Sequence, residues 1–195
     1  MIQIMISPSE GLLLGQQAAD AIDAGAKWLE LNLTDTADSE AFVADIKENM
    51  IPLCRERGVI LTVRDNADIA KATGVHGVHI ADKSLNAILM RNDLGAEAII
   101  GIDIADAQAA LTMQNNDIDY VRVGADIDDD SAARLIADIR SAGAVIPVVR
   151  QLAADTAEKV QRAMSDGFSG VSTTDAVMCA PGAGDTVRNL FAALP

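Results

Sequence analysis

The sequence predicts a (β/α)8 barrel, and three observations carry that prediction. Strand-like and helix-like segments alternate eight times with short connections, the pattern of parallel βαβ units. Each readable strand keeps its apolar residues on one alternating phase and its polar residues or glycine on the other. Gly25, Gly58, Gly74, Gly95, Gly143 and Gly167 stand where a helix should stop and the next strand begin. Parallel strands covered by helices on both faces read as continuous apolar runs, and these do not. One face therefore lies under helices while the other looks into a polar lumen.

Taken in order, the strands fall at about 1–7, 27–34, 59–64, 77–80, 98–103, 119–124, 145–150 and 168–174. Ile2, Ile4 and Ile6 alternate with Gln3, Met5 and Ser7, and Leu29, Leu31 and Leu33 with Glu30, Asn32 and Thr34. Val59, Leu61 and Val63 alternate with Thr62 and Arg64, and Val121 and Val123 with Arg122 and Gly124. Between them run helical stripes: Val43, Ile46, Met50 and Leu53 in the second helix, Ala132, Leu135, Ile136 and Ile139 later, then Ala157, Val160 and Met164. A doubly wound open sheet would also fit the alternation, but Ser7-Pro8-Ser9-Glu10-Gly11 after the first strand has no G-x-G-x-x-G fingerprint. The 195 residues fit one domain spanning 1–195, short for a barrel of this kind, with no linker or low-complexity segment.

Bulk properties exclude several classes of function. Fifteen Lys and Arg against 29 Asp and Glu give a net charge of −14, which repels nucleic acid and anionic lipid. Half the residues are apolar, which argues against disorder. Cys54 and Cys179 are the two cysteines and lack metal-type spacing, so reduced thiols in a cytoplasmic protein are expected. The N-terminus lacks the charged and apolar regions of a signal peptide, and no stretch approaches the roughly 18 apolar residues of a membrane span.

In a barrel the chemistry sits at the C-terminal ends of the strands. The lumen phase there presents Ser7, Asn32 or Thr34, Arg64, His79, Asp103, Arg122, Arg150, and Ser172 with Thr174. Three arginines are thus expected to converge, with Asp103 and Glu30 opposite them. A guanidinium keeps its charge, so burial demands a carboxylate, a phosphate or water. Two readings stay open: a site in which arginines and hydroxyls hold a phosphate or carboxylate ligand, and a plug in which the charges satisfy one another. His76 and His79 fall on opposite faces of an extended strand and are not a metal pair. His79 shares the lumen phase and is either a proton donor or a structural histidine. The acidic run Asp126, Asp128, Asp129 and Asp130 reads as helix capping, with Mg²⁺ binding as the alternative. Trp28, low on the second strand, is expected to fill the barrel floor.

The stretch Cys54-Arg55-Glu56-Arg57-Gly58-Val59-Ile60-Leu61-Thr62-Val63-Arg64-Asp65-Asn66-Ala67-Asp68-Ile69-Ala70 resembles the thiamine phosphate synthase and thiazole tautomerase family, whose third strand typically ends in Asn-Asp-Arg. Gly77-Val78-His79-Ile80, Ile99-Ile100-Gly101-Ile102, Asp119-Tyr120-Val121-Arg122-Val123-Gly124, Ile146-Pro147-Val148-Val149 and Gly170-Val171 follow in the same order and spacing, from about residue 20 onward. The resemblance implies a compact TIM barrel. It implies a transferase that joins a pyrimidine diphosphate to a thiazole phosphate with Mg²⁺, and a homodimer. Asp65 falls on a Mg²⁺-binding aspartate of the family, while Arg64 and Asn66 stand where the family has Asn and Arg. Glu30 and Thr34 replace a Gln and a Lys, Lys83 and Ser84 an acidic pair, and Asp103 a Ser. The acidic run replaces a Thr-rich, Lys-containing loop, and Arg150-Gln151-Leu152-Ala153 replaces a phosphate-cradling Gly-Gly.

Three functions are consistent with this pattern. A synthase with a rewired site would use Asp65 and Asp82 for Mg²⁺ and Arg64 and Arg150 for phosphate. A metal-independent tautomerase or isomerase would use His79 or Asp103 for proton transfer against Arg122. A non-catalytic member would use the charges only as a plug. The candidate site is His79, Asp103 and Arg122 for catalysis, Arg64, Arg150, Ser172 and Thr174 for substrate, and Asp65 for metal.

Overall fold

The computed structural model describes residues 1–9, 12–33 and 39–195; Glu10, Gly11 and Thr34 lie outside the described residues. Eight parallel strands close into a barrel in sequence order. They are β1 (Ile2–Ile6), β2 (Trp28–Leu31), β3 (Ile60–Arg64), β4 (Gly77–Ile80), β5 (Ile99–Ile104), β6 (Tyr120–Val123), β7 (Val148–Gln151) and β8 (Gly170–Ser172). The ring closes where Ile2 pairs with Val171 and Gln3 with Ser172. An open doubly wound sheet is ruled out by that closure.

The connecting helices are α1 (Leu14–Asp23), α2 (Ser39–Asp45), α3 (Ile51–Arg57), α4 (Ala67–Thr73), α5 (Ala87–Leu94), α6 (Ala107–Gln114), α7 (Asp129–Ser141), α8 (Ala157–Ser165) and α9 (Ala183–Ala192). Local signals explain their ends. Asn66, Asn86, Asp106, Asp128 and Thr156 each accept a backbone N–H of the first turn. Gly58 and Gly74 end α3 and α4 in the left-handed conformation that glycine adopts without strain. A π-helical segment, Ile46–Met50, joins α2 to α3. Its wider turn advances the buried face by one residue, so Ile46, Met50 and Cys54 are buried where the sequence pattern placed Leu53.

The two phases of the strands separate as the alternation predicted. Ile4, Leu29, Leu61, Val78, Ile100, Val121, Val148 and Val171 form the layer under the helices, against residues such as Ala18, Ile46, Ile136 and Val187. Trp28, Tyr120 and Val149 fill the lower lumen with Ile60 and Ile99 beside them. Trp28 and Tyr120 meet edge-to-face with centroids 4.9 Å apart, and the indole N–H donates to Thr62 Oγ1 at 3.1 Å. Burial of an aromatic pair is thus combined with a partner for its polar atom. Among the described residues no helix is long and apolar enough to cross a membrane. Cys54 is buried and Cys179 partly so, and both are free thiols.

Candidate functional site

Above the aromatic floor, charged side chains from four strands meet in the lumen with His79 of a fifth. Arg122 is fully buried; its Nη1 donates to both oxygens of Glu30 at 3.1 and 3.0 Å, and its Nε to Asp103 Oδ1 at 2.7 Å. Arg64 Nε donates to Glu30 Oε1 at 2.8 Å. His79 bridges downward: one ring nitrogen lies 2.9 Å from Asp103 Oδ1 and the other 2.8 Å from the Tyr120 hydroxyl. Gln3 Nε2 donates to that hydroxyl at 3.1 Å. A neutral imidazole satisfies these partners with Nε2–H donating to Asp103 and Nδ1 accepting from the Tyr120 hydroxyl.

Electrostatics follow from this geometry. Burial alone would raise the Glu30 pKa, but the Arg122 guanidinium, helped by Arg64, outweighs it and holds the group at about 2. Burial also pushes Asp103 upward, and the hydrogen bond from His79 with the charge of Arg122 reverses the sign, leaving it ionised well below the usual carboxylate range. Burial and then Arg122 lower the His79 pKa, consistent with a neutral ring. Burial raises the Tyr120 pKa, so the phenol keeps its proton. Within the lumen two guanidiniums face two carboxylates, with Asp175 a further carboxylate 3.9 Å from Arg64.

The structure therefore brings together Arg64, His79, Asp103 and Arg122. It does not bring Arg150 to them. Residue Val149, opposite Arg122 in the register, occupies the lumen, so Arg150 points to the outer face. There it is buried against the β6–α7 connection and donates to the carbonyls of Val123, Gly124 and Ile127 and to Asp129. The expected convergence of three arginines is corrected to two. Gln151 takes the lumen phase of β7, and Ser172 lies opposite it, fully buried, with its hydroxyl unpaired. Thr174 donates through its N–H and hydroxyl to the two oxygens of Asp155, at 2.9 and 2.5 Å.

The acidic run serves α7 and α8. Asp128 caps α7 through Ser131 N–H at 2.9 Å, Asp129 pairs with Arg150 and Lys159, and Asp130 pairs with Arg162. Asp65 has φ 53° and accepts the N–H groups of Ala81 (2.7 Å) and Asp82 (3.0 Å) on one oxygen, clamping the β3 and β4 ends together. His76 is exposed, with Nδ1 accepting from Leu61 N–H at 3.0 Å, away from His79.

A family model described as thiamine monophosphate synthase matches residues 5–176. The chain belongs to the thiamine monophosphate synthase family. The thiamine-phosphate synthase of Chlorobium luteolum is 27% identical over 179 residues, covering 88% of this chain and 83% of that one. The enzyme of the same name from Bacteroides fragilis is 24% identical over 192 residues, covering 92% and 93%. The solved thiamine phosphate pyrophosphorylase of Pyrococcus furiosus superposes with a TM-score of 0.82 at 19% identity, covering 98% of this chain and 94% of that one.

Membership in the thiamine monophosphate synthase family raises the question of Mg²⁺: the lumen carboxylates are committed to guanidiniums, while Asp65 and Asp82 each accept backbone amides on one oxygen and keep the other clear of them. Mg²⁺ needs oxygen ligands with free lone pairs in octahedral array. Among the described residues no three carboxylate, imidazole or thiol groups gather as a metal set. Sequence reasoning also passed over Tyr120, Gln3, Gln151 and Asp175. The first two share the lumen phase with Arg122 and Met5; the alternation already put Gln3 on the polar phase of β1, and the same rule applied to β6 puts Tyr120 there.

Proposed function

We propose that this thiamine monophosphate synthase family member binds a small phosphorylated or carboxylated ligand at the barrel mouth, on a site altered from the diphosphate-condensing one. One observation carries the reading: Arg64 is a lumen guanidinium, its side chain 11% exposed, whose Nη1 has only Asp175 at 3.9 Å beside it among the described residues, whereas Arg122 spends its donors on Glu30 and Asp103. A diphosphate needs several cations, and the paired charges leave none to spare among these groups. Asp103, 26% exposed, faces the ligand as an ionised hydrogen-bond acceptor. Arg122 and His79 are the positioning residues behind it. Ser172 supplies a lumen hydroxyl. Arg150 and Thr174 hold loops. The same reading places the protein in the cytoplasm as a single barrel domain, a homodimer by family resemblance, with no nucleic-acid or membrane partner.

Thermal unfolding against small monophosphates and carboxylates tests this directly. A ligand at about 100 times its Kd stabilises by about 2.7 kcal/mol, and Arg64→Gln should abolish that shift. Protection by pyrophosphate that requires Mg²⁺ would show that the family's condensation site is intact and overturn the reading. The complete internal pairing of Arg122 favours a second reading, a non-catalytic barrel; absence of any shift across the panel would support it.

A further inference from the structure

The open edge of Arg64 is roofed by a carboxylate. Its Nε is taken by Glu30, its Nη2 lies 3.0 Å from Met5 Sδ, and its Nη1 is 3.9 Å from Asp175 Oδ2. That last separation is too long for a hydrogen bond but within ion-pair range, at an edge that solvent screens. Asp175 lies just beyond β8, its side chain is 46% exposed, and its other oxygen is 3.5 Å from the Ser7 hydroxyl. Asp155 stands close by, bound to Thr174, and Asp175 adds to burial in raising its pKa. Inside the barrel Glu30 and Asp103 already balance Arg64 and Arg122. An anion reaching Arg64 would therefore meet Asp175 with no offsetting charge among these groups. A positive charge carried by the ligand itself would offset that carboxylate.

We propose that the mouth selects a zwitterion, a small molecule whose phosphate or carboxylate takes the Nη1 edge of Arg64 while its own ammonium takes Asp175. The inference rests on the anion-site reading and narrows its ligand class. The two protein charges are close together, so the ligand's charges must be too, as in aminoethyl phosphate or an α-amino acid. A simple phosphate monoester of the same size lacks the second half of the match. Asp175 then acts as a specificity residue that rejects plain anions by repulsion.

Calorimetric titration of the full chain with aminoethyl phosphate and ethyl phosphate tests the assignment. The wild type should bind aminoethyl phosphate about tenfold more tightly, equivalent to about 1.4 kcal/mol. Asp175→Asn should weaken aminoethyl phosphate and strengthen ethyl phosphate, removing the preference. If both compounds bind the wild type alike and both are lost in Arg64→Gln, the anion site stands and the zwitterion assignment falls. Should Mg²⁺ lift ethyl phosphate to parity, the carboxylates serve a metal and the assignment is wrong. Binding of neither compound, or binding unaffected by Arg64→Gln, overturns the assignment together with the reading beneath it.

Discussion

Glu30 is completely buried yet ionised, held at about pKa 2 from an ordinary 4.5 by Arg122 and Arg64. A carboxyl whose folded pKa is depressed contributes stability above its unfolded pKa and loses it as pH falls toward the folded one. At 1.36 kcal/mol per unit the loss between about pH 5 and pH 2 is about 3 kcal/mol. Neutral His79 acts in the same direction, because the unfolded chain takes up its proton first. Glu30→Gln should be less stable than wild type near neutrality and should lose less on acidification, as read from denaturant midpoints across that range. Parallel curves for the two proteins would contradict the assignment. At this scale the sequence was legible where alternation was clean: Glu30, Arg64, His79, Asp103 and Arg122 all lie on the expected phase. It misled at Arg150 because Val148-Val149-Arg150-Gln151 has no apolar alternation to fix the phase. Asp175 sits in a connection beyond β8, where no period applies.

The elements show why glycine and caps matter more than propensity. Gly101 on β5 lies under the Tyr120 ring, and a Cβ there would fall 2.0 Å from it. Gly101→Ala should push Tyr120 off His79 and cost about 1–3 kcal/mol through overpacking. The change would appear as a lowered melting temperature with altered near-ultraviolet dichroism of Trp28 and Tyr120. For α7, Asp128→Ala removes the cap on Ser131 N–H and should lower the melting temperature, with lumen ligand binding unchanged. Loss of binding in that variant would mean that the acidic run reaches the mouth. Helix ends were readable because the capping chemistry is local. The π-helical segment was not, since a stripe at helical spacing reads the same until the buried face shifts to Cys54.

At the scale of the whole molecule, ring closure gathers side chains far apart in sequence. Glu30 and Arg122 are 92 residues apart and meet only when β2 and β6 face each other across the lumen. Periodicity announced an inward polar face, yet which charge pairs with which depends on strand tilt and register, and the sequence does not display those. The net charge of −14 bears on partners alone and left the lumen charges undetermined. The central claim is that the lumen charges are satisfied by one another. Equilibrium unfolding of Arg122→Ala without added ligand tests it most directly. The loss should be about 3–5 kcal/mol, because Glu30 and Asp103 would lose their shared buried partner. A variant that unfolds with wild-type free energy while failing to bind small phosphates would contradict the account.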